Sequence, residues 1–450
     1  MKKSKAVEVI FLFACLLLVL IFPVGMLLFG PSPALANERQ SVKPQLVSDG
    51  ILNPDVLSES ADYLSDHFFL RRELITTRSW LTALFGSSTA EDVIIGKNGW
   101  LYYTPTLDDY TGSNPMSGAE IFSAARNLYL MQEYCESRGA RFLFTATPNK
   151  NSLYGGNMPG RGGGAALSEH NAIRLYTWLD TLGVCYADLF AAFSEQTETL
   201  YFAHDSHWTS MGAALGADAI NSAFGRESGY YSGPFSERTS HTGDLWEMLY
   251  PAATDPETDP AYGGALDYTR DNGTRPDAIT INTASEAGEG NLLAFRDSFG
   301  NLLYPYLADS FLTARFSRAV EYDLTQINAL NADFVLIELV ERNLGYLIEN
   351  VPTMPAPIRT FSAPKQTPEA ETVILKWDTN SAEDYTLVHG ALPGAFDALS
   401  PVYIMCGERV YEAFTLKAGG FAAWIPKEEP PEAVIASVNG SLVTFDVTAE

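Results

Sequence analysis

Apolar and polar residues follow three successive patterns along the chain. An uncharged run, "VIFLFACLLLVLIFPVGMLLFG" (9–30), precedes a polar stretch whose apolar residues recur at helical spacing, "ADYLSDHFFLRRELITTRSWLTALFG". From about 117 to 350, amphipathic segments alternate with short apolar runs. Beyond 371, short apolar runs are separated by turn residues. We therefore expect a membrane segment, an α/β region and a β region.

The middle region predicts an α/β fold. Helical periodicity marks "GAEIFSAARNLYLMQEYCESRG", "HNAIRLYTWLDTLG" and "TSMGAALGADAINSAFG", the last capped by Thr209 or Ser210. Buried-strand patterns mark "RFLFTATP", "VCYADLF", "NLLAF" and "ADFVLIEL". Such alternation favours a parallel or mostly parallel sheet flanked by helices, with ligands at the carboxyl ends of its strands. Hairpins are predicted over 94–104 and within the Gly-, Asp- and Pro-bearing region 225–290.

These patterns also predict the domain limits. We expect a signal peptide or membrane anchor over 1–36, a mainly helical segment over 37–95, the α/β domain over 96–350, a Pro-rich linker over 351–371 and a small all-β domain, a sandwich, over 372–450.

The N-terminal segment predicts an exported protein. Three lysines precede the apolar run, which is long enough to span a bilayer, and they favour a cytoplasmic N-terminus. Ala34 and Ala36 have the spacing that signal peptidase prefers. The body is therefore expected outside the cytoplasm, either anchored to the membrane by residues 9–30 or secreted after cleavage at Ala36.

Composition narrows the classes of partner. A chain of 450 residues suggests two or three domains. Its formal net charge of −26 argues against nucleic acid or an anionic membrane surface as the main partner. The four cysteines form no C-x-x-C pair, and buried thiols are expected rather than a disulfide framework or a zinc cluster. No cofactor is predicted.

Two stretches carry residues suited to chemistry. In "YFAHDSHWTSMG" (201–212), Asp205 stands two residues before His207, so both side chains can face the same way along an extended segment. In "AFRDSFGN" (294–301), Ser298 lies between a strand pattern and a helix start. Each stretch is also good helix-capping chemistry, and Asp297 or Ser298 could serve only as an N-cap.

The two stretches together favour acyl transfer. A hydroxyl at a strand-to-helix turn, an imidazole and an orienting carboxylate are the parts of a Ser-His-Asp triad. The backbone N–H groups of Phe299 and Gly300 are expected to be free at the helix start, where they would suit an oxyanion. The turn lacks the G-x-S-x-G sequence of a nucleophile elbow.

At this point the chain resembles the SGNH hydrolase-like proteins of the AlgX/AlgJ type, including the DHHW proteins, over roughly 37–350. The resemblance rests on the order and spacing of "NER" (37–39), "LSDHFFLRREL" (64–74), "GKNGWLYY" (96–103), "TPNKNSLYGGNMP" (147–159), "DSHWT" (205–209), "RDSFG" (296–300) and "ERNL" (341–344). The eponymous Asp-His-His-Trp reads Asp-Ser-His-Trp here, and the acid and the expected base remain.

The resemblance implies an extracytoplasmic O-acetyltransferase or acetylesterase acting on a polysaccharide. By position, Ser298 would be the nucleophile, His207 the general base and Asp205 its orienting acid. A membrane-bound O-acyltransferase could supply the acetyl group. Two other classes stay open, namely a non-catalytic polysaccharide-binding or assembly protein, which the β domain and the aromatic content favour, and a metal-dependent hydrolase.

Four further residues are weaker candidates for substrate or oxyanion contacts. Asn149, Lys150 and Tyr154 follow a strand and could line the cleft or lie in an exposed loop. Arg342 follows "FVLIELVE", and a salt bridge with an acidic neighbour is the alternative. His241 could join His204, Asp205 and His207 as a zinc site, although the spacing matches no zinc signature. Arg71 and Arg72 are expected to be structural.

Overall fold

The computed structural model of the protein describes residues 2–35, 38–48, 50–160, 164–271, 273–361, 372–378, 384–394 and 396–449. Ala36 and residues 362–371 of the predicted linker lie outside the described residues. The N-terminal elements are α1 (Lys2–Phe29), β1 (Val47–Ser48), β2 (Ile51–Leu52), α2 (Val56–His67), α3 (Arg71–Ala83), β3 (Val93–Ile95) and β4 (Leu101–Tyr103).

The middle of the chain alternates helices and strands. Its elements are α4 (Leu107–Thr111), α5 (Gly118–Ser137), β5 (Arg141–Thr147), α6 (Lys150–Tyr154), α7 (Asn171–Leu182), β6 (Tyr186–Ala187), α8 (Leu189–Ser194), α9 (Ser210–Ala223), β7 (Phe235–His241), α10 (Asp244–Leu249), β8 (Glu257–Tyr262), β9 (Thr269–Arg270), β10 (Thr280–Ala284), β11 (Asn291–Phe295), α11 (Gly300–Ser310), β12 (Thr313–Ser317), α12 (Gln326–Leu330), β13 (Phe334–Val340) and α13 (Tyr346–Glu349).

The remaining elements are strands. They are β14 (Ile358–Arg359), β15 (Val373–Asp378), β16 (Tyr385–Ala391), β17 (Val402–Cys406), β18 (Arg409–Thr415), β19 (Gly420–Pro426), β20 (Ala433–Val438) and β21 (Ser441–Ala449).

A seven-stranded sheet organises the α/β region, in the order β6-β5-β13-β11-β12-β10-β9. Neighbours from β6 to β12 pair in parallel, whereas β10 pairs antiparallel with β12 and with β9. The carboxyl ends of β5, β11 and β13 therefore meet at one edge. That edge brings together the segments that begin at Pro148, Arg296 and Glu341, which are the polar segments that the sequence motifs occupy.

Side chains of the central strands alternate between two apolar cores, as the two-residue period of a strand requires. Phe144, Phe295 and Ile337 belong to the core under α5 and α7, whereas Leu143, Ala294 and Leu336 belong to the core under α9 and α11. Because both faces are covered, the strands are mainly apolar, which explains their apolar runs in the sequence.

Local signals set several boundaries. Ser117 and Glu120 form a capping box at the start of α5, and the N-cap of α9 is Thr209, whose hydroxyl accepts the N–H of Gly212. The predicted strand "VCYADLF" is wrong over its second half. Only Tyr186–Ala187 pairs in the sheet, because Asp188 accepts the N–H of Ala191 and starts α8.

Both predicted hairpins are present. Asn98 (φ 56°) and Gly99 (φ 82°) form the turn between β3 and β4, where a positive φ at both positions suits Asn-Gly. β7 and β8 pair antiparallel inside the predicted 225–290 region, with a register irregularity between Thr239 and His241. This inserted hairpin ends beside the catalytic candidates.

The C-terminal β domain is a closed barrel, so the predicted sandwich is wrong. Seven strands close in the order β18-β17-β20-β21-β15-β16-β19, β19 returns to β18, and β14 adds to the outside of β18. Closure leaves one apolar interior rather than two packed sheet faces. It depends on β20, "AVIASV", which no sequence signal marked as a strand.

α1 is long and apolar enough to cross a membrane over Val7–Phe29, with a mean hydropathy of 3.0. Its last turns pack on the turn between α2 and α3, where Phe22 meets Phe68 and Phe29 stacks on Phe69. Gly25 permits this approach, since a Cβ there would lie 2.2 Å from the Phe69 ring.

Arg71 and Arg72 have structural contacts, as expected. Arg71 forms a bidentate pair with Glu38, and Arg72 donates to the carbonyl of Pro251. Cys135 and Cys406 are buried free thiols, but Cys185 is exposed, contrary to the expectation of a buried thiol, because only two residues of β6 cover that edge.

Candidate active site

The structure brings the two motif segments together through one buried tryptophan. Trp208 is fully buried, stacks on Phe193 and meets Phe299 edge-on, with ring centroids 5.2 Å apart. Its indole Nε1 donates to the carbonyl of Phe299 at 3.1 Å. The loop that precedes α9 is therefore fixed against the turn between β11 and α11, although ninety-one residues separate Trp208 from Phe299.

Asp205, His207 and Ser298 form a continuous hydrogen-bonded line. Asp205 Oδ1 lies 2.7 Å from His207 Nδ1, and His207 Nε2 lies 2.8 Å from Ser298 Oγ. Asp205 Oδ1 also accepts the backbone N–H of His207 at 2.9 Å. An imidazole placed between a carboxylate and a hydroxyl in this way can accept the hydroxyl proton and stay oriented while it holds that proton.

Charge in the site favours a strong base at His207. Burial tends to lower the pKa of His207, but the hydrogen bond to Asp205 and the charges of Asp205 and Asp244 outweigh burial and the opposing charge of Arg342, so the net shift is upward. Burial would raise the pKa of the Asp205 carboxyl, yet its contacts with His207 and His241 hold that pKa well below its usual range.

Asp244 is a second acid beside His207 that the sequence did not mark. It accepts the N–H of Ser206 at 2.8 Å and the Ser206 hydroxyl at 2.6 Å, and its Oδ2 lies 3.5 Å from His207 Nδ1. Burial and the charge of Asp205 raise the pKa of Asp244. Gly243 lets this segment approach, because a Cβ there would lie 2.1 Å from the carbonyl of His204.

Among the described residues, Asp205, His207 and Asp244 are the group whose ligand atoms lie close enough to hold a metal ion, within 4.8 Å of one another. The zinc site considered from the sequence combined His204 and His241 with Asp205 and His207 and did not include Asp244. His241 contacts Asp205 directly, at 2.8 Å, whereas His204 Nδ1 lies nearest Asp255 and Glu257, at 3.7 and 3.9 Å.

Lys150 does not line the cleft. Its ammonium group is buried and donates to the carbonyls of Leu101 at 2.6 Å, Ala203 at 2.7 Å and Asp205 at 2.9 Å. The ammonium also lies over the rings of Trp100 and Tyr102. Burial lowers the pKa of Lys150 to about 7, opposed by the charges of nearby carboxylates. The three carbonyls explain why a lysine that follows a strand is drawn inward.

Asn149 and Tyr154 are also held inside the protein. Asn149 is fully buried, with its N–H donating to Glu341 and its side-chain amide to Asp109. The Tyr154 hydroxyl accepts the N–H of Leu200 at 2.8 Å, and its ring packs on Trp100. Both side chains support the segments around the site through these contacts.

Arg342 lies at the site. It forms no salt bridge with the residues that the structure describes, so the alternative predicted for it is wrong. Its guanidinium sits 5.3 Å from the ring centroid of Tyr103 and 5.5 Å from that of Phe299. Its nearest hydrogen-bond partner is Asn149 Oδ1, at 3.5 Å. A cation held by rings rather than by a carboxylate keeps its charge available to a bound anion.

Of the two expected oxyanion donors, that of Phe299 is occupied, and the expectation for the N–H of Gly300 stays a prediction. The N–H of Phe299 donates to Asp297 Oδ1 at 2.9 Å, so that donor is not free. Gly300 is buried against Arg296, where a Cβ would lie 2.4 Å from Cδ. The glycine in "RDSFG" therefore serves packing of the turn.

An acidic pair lies behind the serine, of which the sequence reading named only Asp297, as a possible N-cap. Asp297 Oδ2 accepts the N–H of Val340 at 2.8 Å, and the N–H of Asp297 donates to Glu338 at 3.2 Å. Glu338 is fully buried and accepts the Thr147 hydroxyl at 2.8 Å. Burial, reinforced by the charge of Asp297, raises the pKa of Glu338 to about 8. These contacts hold the turn that contains Ser298 against the carboxyl ends of β13 and β5.

Comparison with known proteins finds a likeness to a described family over part of the chain. Residues 93–287 match the family model for the SGNH hydrolase-like domain of acetyltransferase AlgX. The chain is 24% identical over 269 residues to the probable alginate O-acetylase AlgJ of Pseudomonas syringae pv. tomato, an alignment that covers 55% of this chain and 61% of that protein. It therefore spans less than two thirds of that relative's length. The predicted resemblance to the AlgX/AlgJ type is confirmed.

Solved structures that the chain is similar to include the following three. A DHHW family protein from Eubacterium siraeum has a TM-score of 0.42 and 18% identity, covering 58% of this chain and 99% of that one. PatB1 of Bacillus cereus has a TM-score of 0.44 and 18% identity, covering 57% of this chain and 97% of that one. The O-acetyltransferase domain of Pseudomonas putida AlgJ has a TM-score of 0.39 and 17% identity, covering 57% of this chain and 93% of that one.

Proposed function

We propose that this AlgX/AlgJ-type SGNH hydrolase-like protein is an extracytoplasmic O-acetyltransferase or acetylesterase that acts on a cell-surface or exported polysaccharide through an acetyl-serine intermediate. The observation that carries the proposal is the line from Asp205 through His207 to Ser298, with both hydrogen bonds under 3 Å. Catalysis is assigned to the α/β region 96–350, within the domain limits predicted from the sequence.

Acyl transfer follows from the geometry in two balanced steps. His207 Nε2 takes the Ser298 proton as Oγ bonds to the acetyl carbonyl carbon. The bond to the donor oxygen then breaks, and the imidazolium returns its proton to that oxygen. In the second step a sugar hydroxyl or water gives its proton to His207 Nε2 as its oxygen bonds to the acetyl carbon. The bond from that carbon to Ser298 Oγ then breaks, and the imidazolium returns its proton to Oγ. Asp205 stabilises the imidazolium in both steps.

Arg342 is the proposed cation for the substrate side. The rings of Tyr103 and Phe299 hold it beside the site, and its charge opposes protonation of His207. It can therefore stabilise negative charge that develops on the acetyl carbonyl oxygen, or bind an acidic sugar. Transfer and hydrolysis share the acetyl-enzyme and differ only in whether a sugar or water attacks it.

The proposal also includes the location of the protein and the source of its acetyl group. The apolar helix α1 would keep the domain at the outer face of the membrane, where a membrane-bound O-acyltransferase could pass acetyl groups to Ser298. The AlgJ relative is named for alginate, and a polysaccharide acceptor is proposed here by that likeness.

The test is mass spectrometry of the full chain after incubation with p-nitrophenyl acetate. The wild type should gain one acetyl group on the peptide that contains Ser298, and Ser298→Ala should lose both this label and p-nitrophenol release. Ser137→Ala, at the exposed end of α5, is the matched control and should behave as wild type. Full turnover by Ser298→Ala would overturn the proposal.

The two other classes of function predict different results in polymer binding and in a chelator test. A non-catalytic polysaccharide-binding protein would bind polymer equally well after replacement of Ser298, His207 and Asp205, and it would show no turnover. A metal-dependent hydrolase, which Asp205, His207 and Asp244 could support, would lose activity with EDTA and regain it with added zinc.

A further inference from the structure

The catalytic carboxylate is shared between two histidines. Asp205 Oδ1 serves His207, whereas Asp205 Oδ2 lies 2.8 Å from His241 Nε2 and accepts the N–H of Asp244 at 3.1 Å. The proposed mechanism uses only the first oxygen. His241 contacts the carboxylate through the other oxygen, so both histidines depend on the same negative charge.

The fold holds His241 in this place. It ends β7 of the inserted hairpin, beside the register irregularity after Thr239. Irregularities of this kind redirect a side chain at a strand end. The imidazole stacks on Phe202, with ring centroids 3.9 Å apart and planes 14° apart. Its side chain remains 32% exposed, so it can exchange protons with solvent.

We propose that His241 is a positioning residue of the acyl-transfer site, which donates from Nε2 to the second oxygen of Asp205 and thereby limits how strongly Asp205 raises the basicity of His207. The proposal rests on the proposed function. It assigns a role to a histidine outside the Ser-His-Asp line, contributed by the inserted hairpin.

The surrounding charges set the direction of the effect. The acidic groups that face His241 are Asp205, Glu257 and Asp259. Burial tends to lower the pKa of His241, but the hydrogen bond to Asp205 and these charges outweigh burial and raise it. The groups that act on His207 are Asp205, Asp244 and Arg342. Lys150 reaches Asp205 only at the backbone carbonyl.

Loss of His241 should therefore strengthen His207 as a base. Without the imidazole donor or its positive charge, Oδ2 keeps only the N–H of Asp244, so more of the negative charge of Asp205 acts on His207 and stabilises its imidazolium. The pKa of His207 then rises, and the acid limb of the kcat/KM profile moves to higher pH, by roughly 0.5–1 unit. A merely structural histidine would lower the rate or the stability without moving this limb.

Two substitutions separate the effect of the His241 hydrogen-bond donor from the effect of its positive charge. His241→Phe keeps an aromatic face for Phe202 and removes both the donor and the charge. His241→Gln keeps an amide donor but removes the charge and the ring that stacks on Phe202, so its acid limb should fall between those of wild type and His241→Phe. His389→Gln, on β16 of the barrel, is the control and should leave the limb unchanged.

The experiment measures kcat/KM against pH with p-nitrophenyl acetate, together with an NMR titration of the histidine Cε1–H signals, in which His207→Gln assigns the His207 signal. The upward shift should appear in both measurements. An unmoved His207 titration in folded His241→Phe would overturn the inference. Because the titration needs no turnover, this failure is distinct from failure of the proposed function, which Ser298→Ala reports.

Discussion

At the scale of single residues, the site depends on how one carboxylate is shared. Asp205 accepts hydrogen bonds from two imidazoles and two backbone N–H groups, so its orientation is fixed and its negative charge is retained. That charge is the main reason why the pKa of His207 lies above its ordinary value despite burial. The general base should consequently become active only above the usual histidine range.

Replacing Asp205 by Asn tests this relation. The asparagine removes the negative charge that stabilises imidazolium, so burial prevails and the pKa of His207 falls below its ordinary value. We expect the acid limb of kcat/KM to move to lower pH, opposite to the shift for His241→Phe. The plateau rate should drop by about 10²–10⁴-fold, since an amide cannot stabilise the protonated base. A pH–rate profile measures both, and an unchanged limb would contradict the role of Asp205.

Sequence reading could single out Asp205, His207 and Ser298 because each stands in a short motif with local chemical sense. It could not find Asp244, and it named His241 only as part of a possible zinc site; these two residues join Asp205 through contacts across 39 and 36 residues. Asp297 was named only as a possible N-cap, and Glu338 escaped because its neighbours in sequence give no sign that it becomes buried and accepts from Asp297 behind the serine. Such partners are set by tertiary packing, which a single sequence does not display.

At the scale of elements, the site is a junction of loops that extend from rigid strands. Lys150, the first residue of α6, ties β4 to the loop that carries Asp205 by donating to the carbonyls of Leu101, Ala203 and Asp205. The same two segments also share the hydrogen bond from the N–H of Leu101 to the carbonyl of Ala203. The ammonium is therefore a structural link between elements.

Substitution of Lys150 by Met should loosen this junction. Three buried carbonyls would lose a donor, and each unsatisfied group costs about 1–3 kcal/mol, so the free energy of unfolding should fall by at least about 2 kcal/mol. Urea unfolding measures this loss, and kcat/KM should fall as the loop shifts His207 from Ser298. Lys97→Met, at an exposed lysine of the β3–β4 turn, is the control and should change neither. A stable, fully active Lys150→Met protein would contradict the role.

Elements with strong periodicity were predictable and weakly patterned ones were not. β5, β11 and β13 are mainly apolar because helices cover both faces, so their runs were visible in the sequence. β6 has only two residues because the Asp188 cap begins a helix at once. Barrel closure was hidden, since pairing of β19 with both β16 and β18 is a property of the whole sheet rather than of any strand.

At the scale of the whole molecule, the barrel docks on the α/β domain through a buried charge cluster. Glu412 of β18 is fully buried and bonded by Arg126 of α5 at 2.6 and 2.9 Å and by Arg359 of β14 at 2.6 Å. Beside it, Asn127 and Thr415 exchange hydrogen bonds in both directions. These contacts join the two domains over the face of the sheet remote from α9.

Glu412→Gln should therefore destabilise both domains together. The substitution leaves two partly buried guanidinium groups without their shared carboxylate, and removing one partner of such a cluster costs about 3–5 kcal/mol. Glu429→Gln is the matched control, because it breaks an exposed pair with Arg409 on the same barrel, worth at most about 1 kcal/mol. Thermal unfolding followed by near-UV circular dichroism should give one transition, lowered far more by Glu412→Gln. If Glu412→Gln instead splits the transition and leaves the α/β domain at its original Tm, the barrel is an independent unit and the cluster only tethers it.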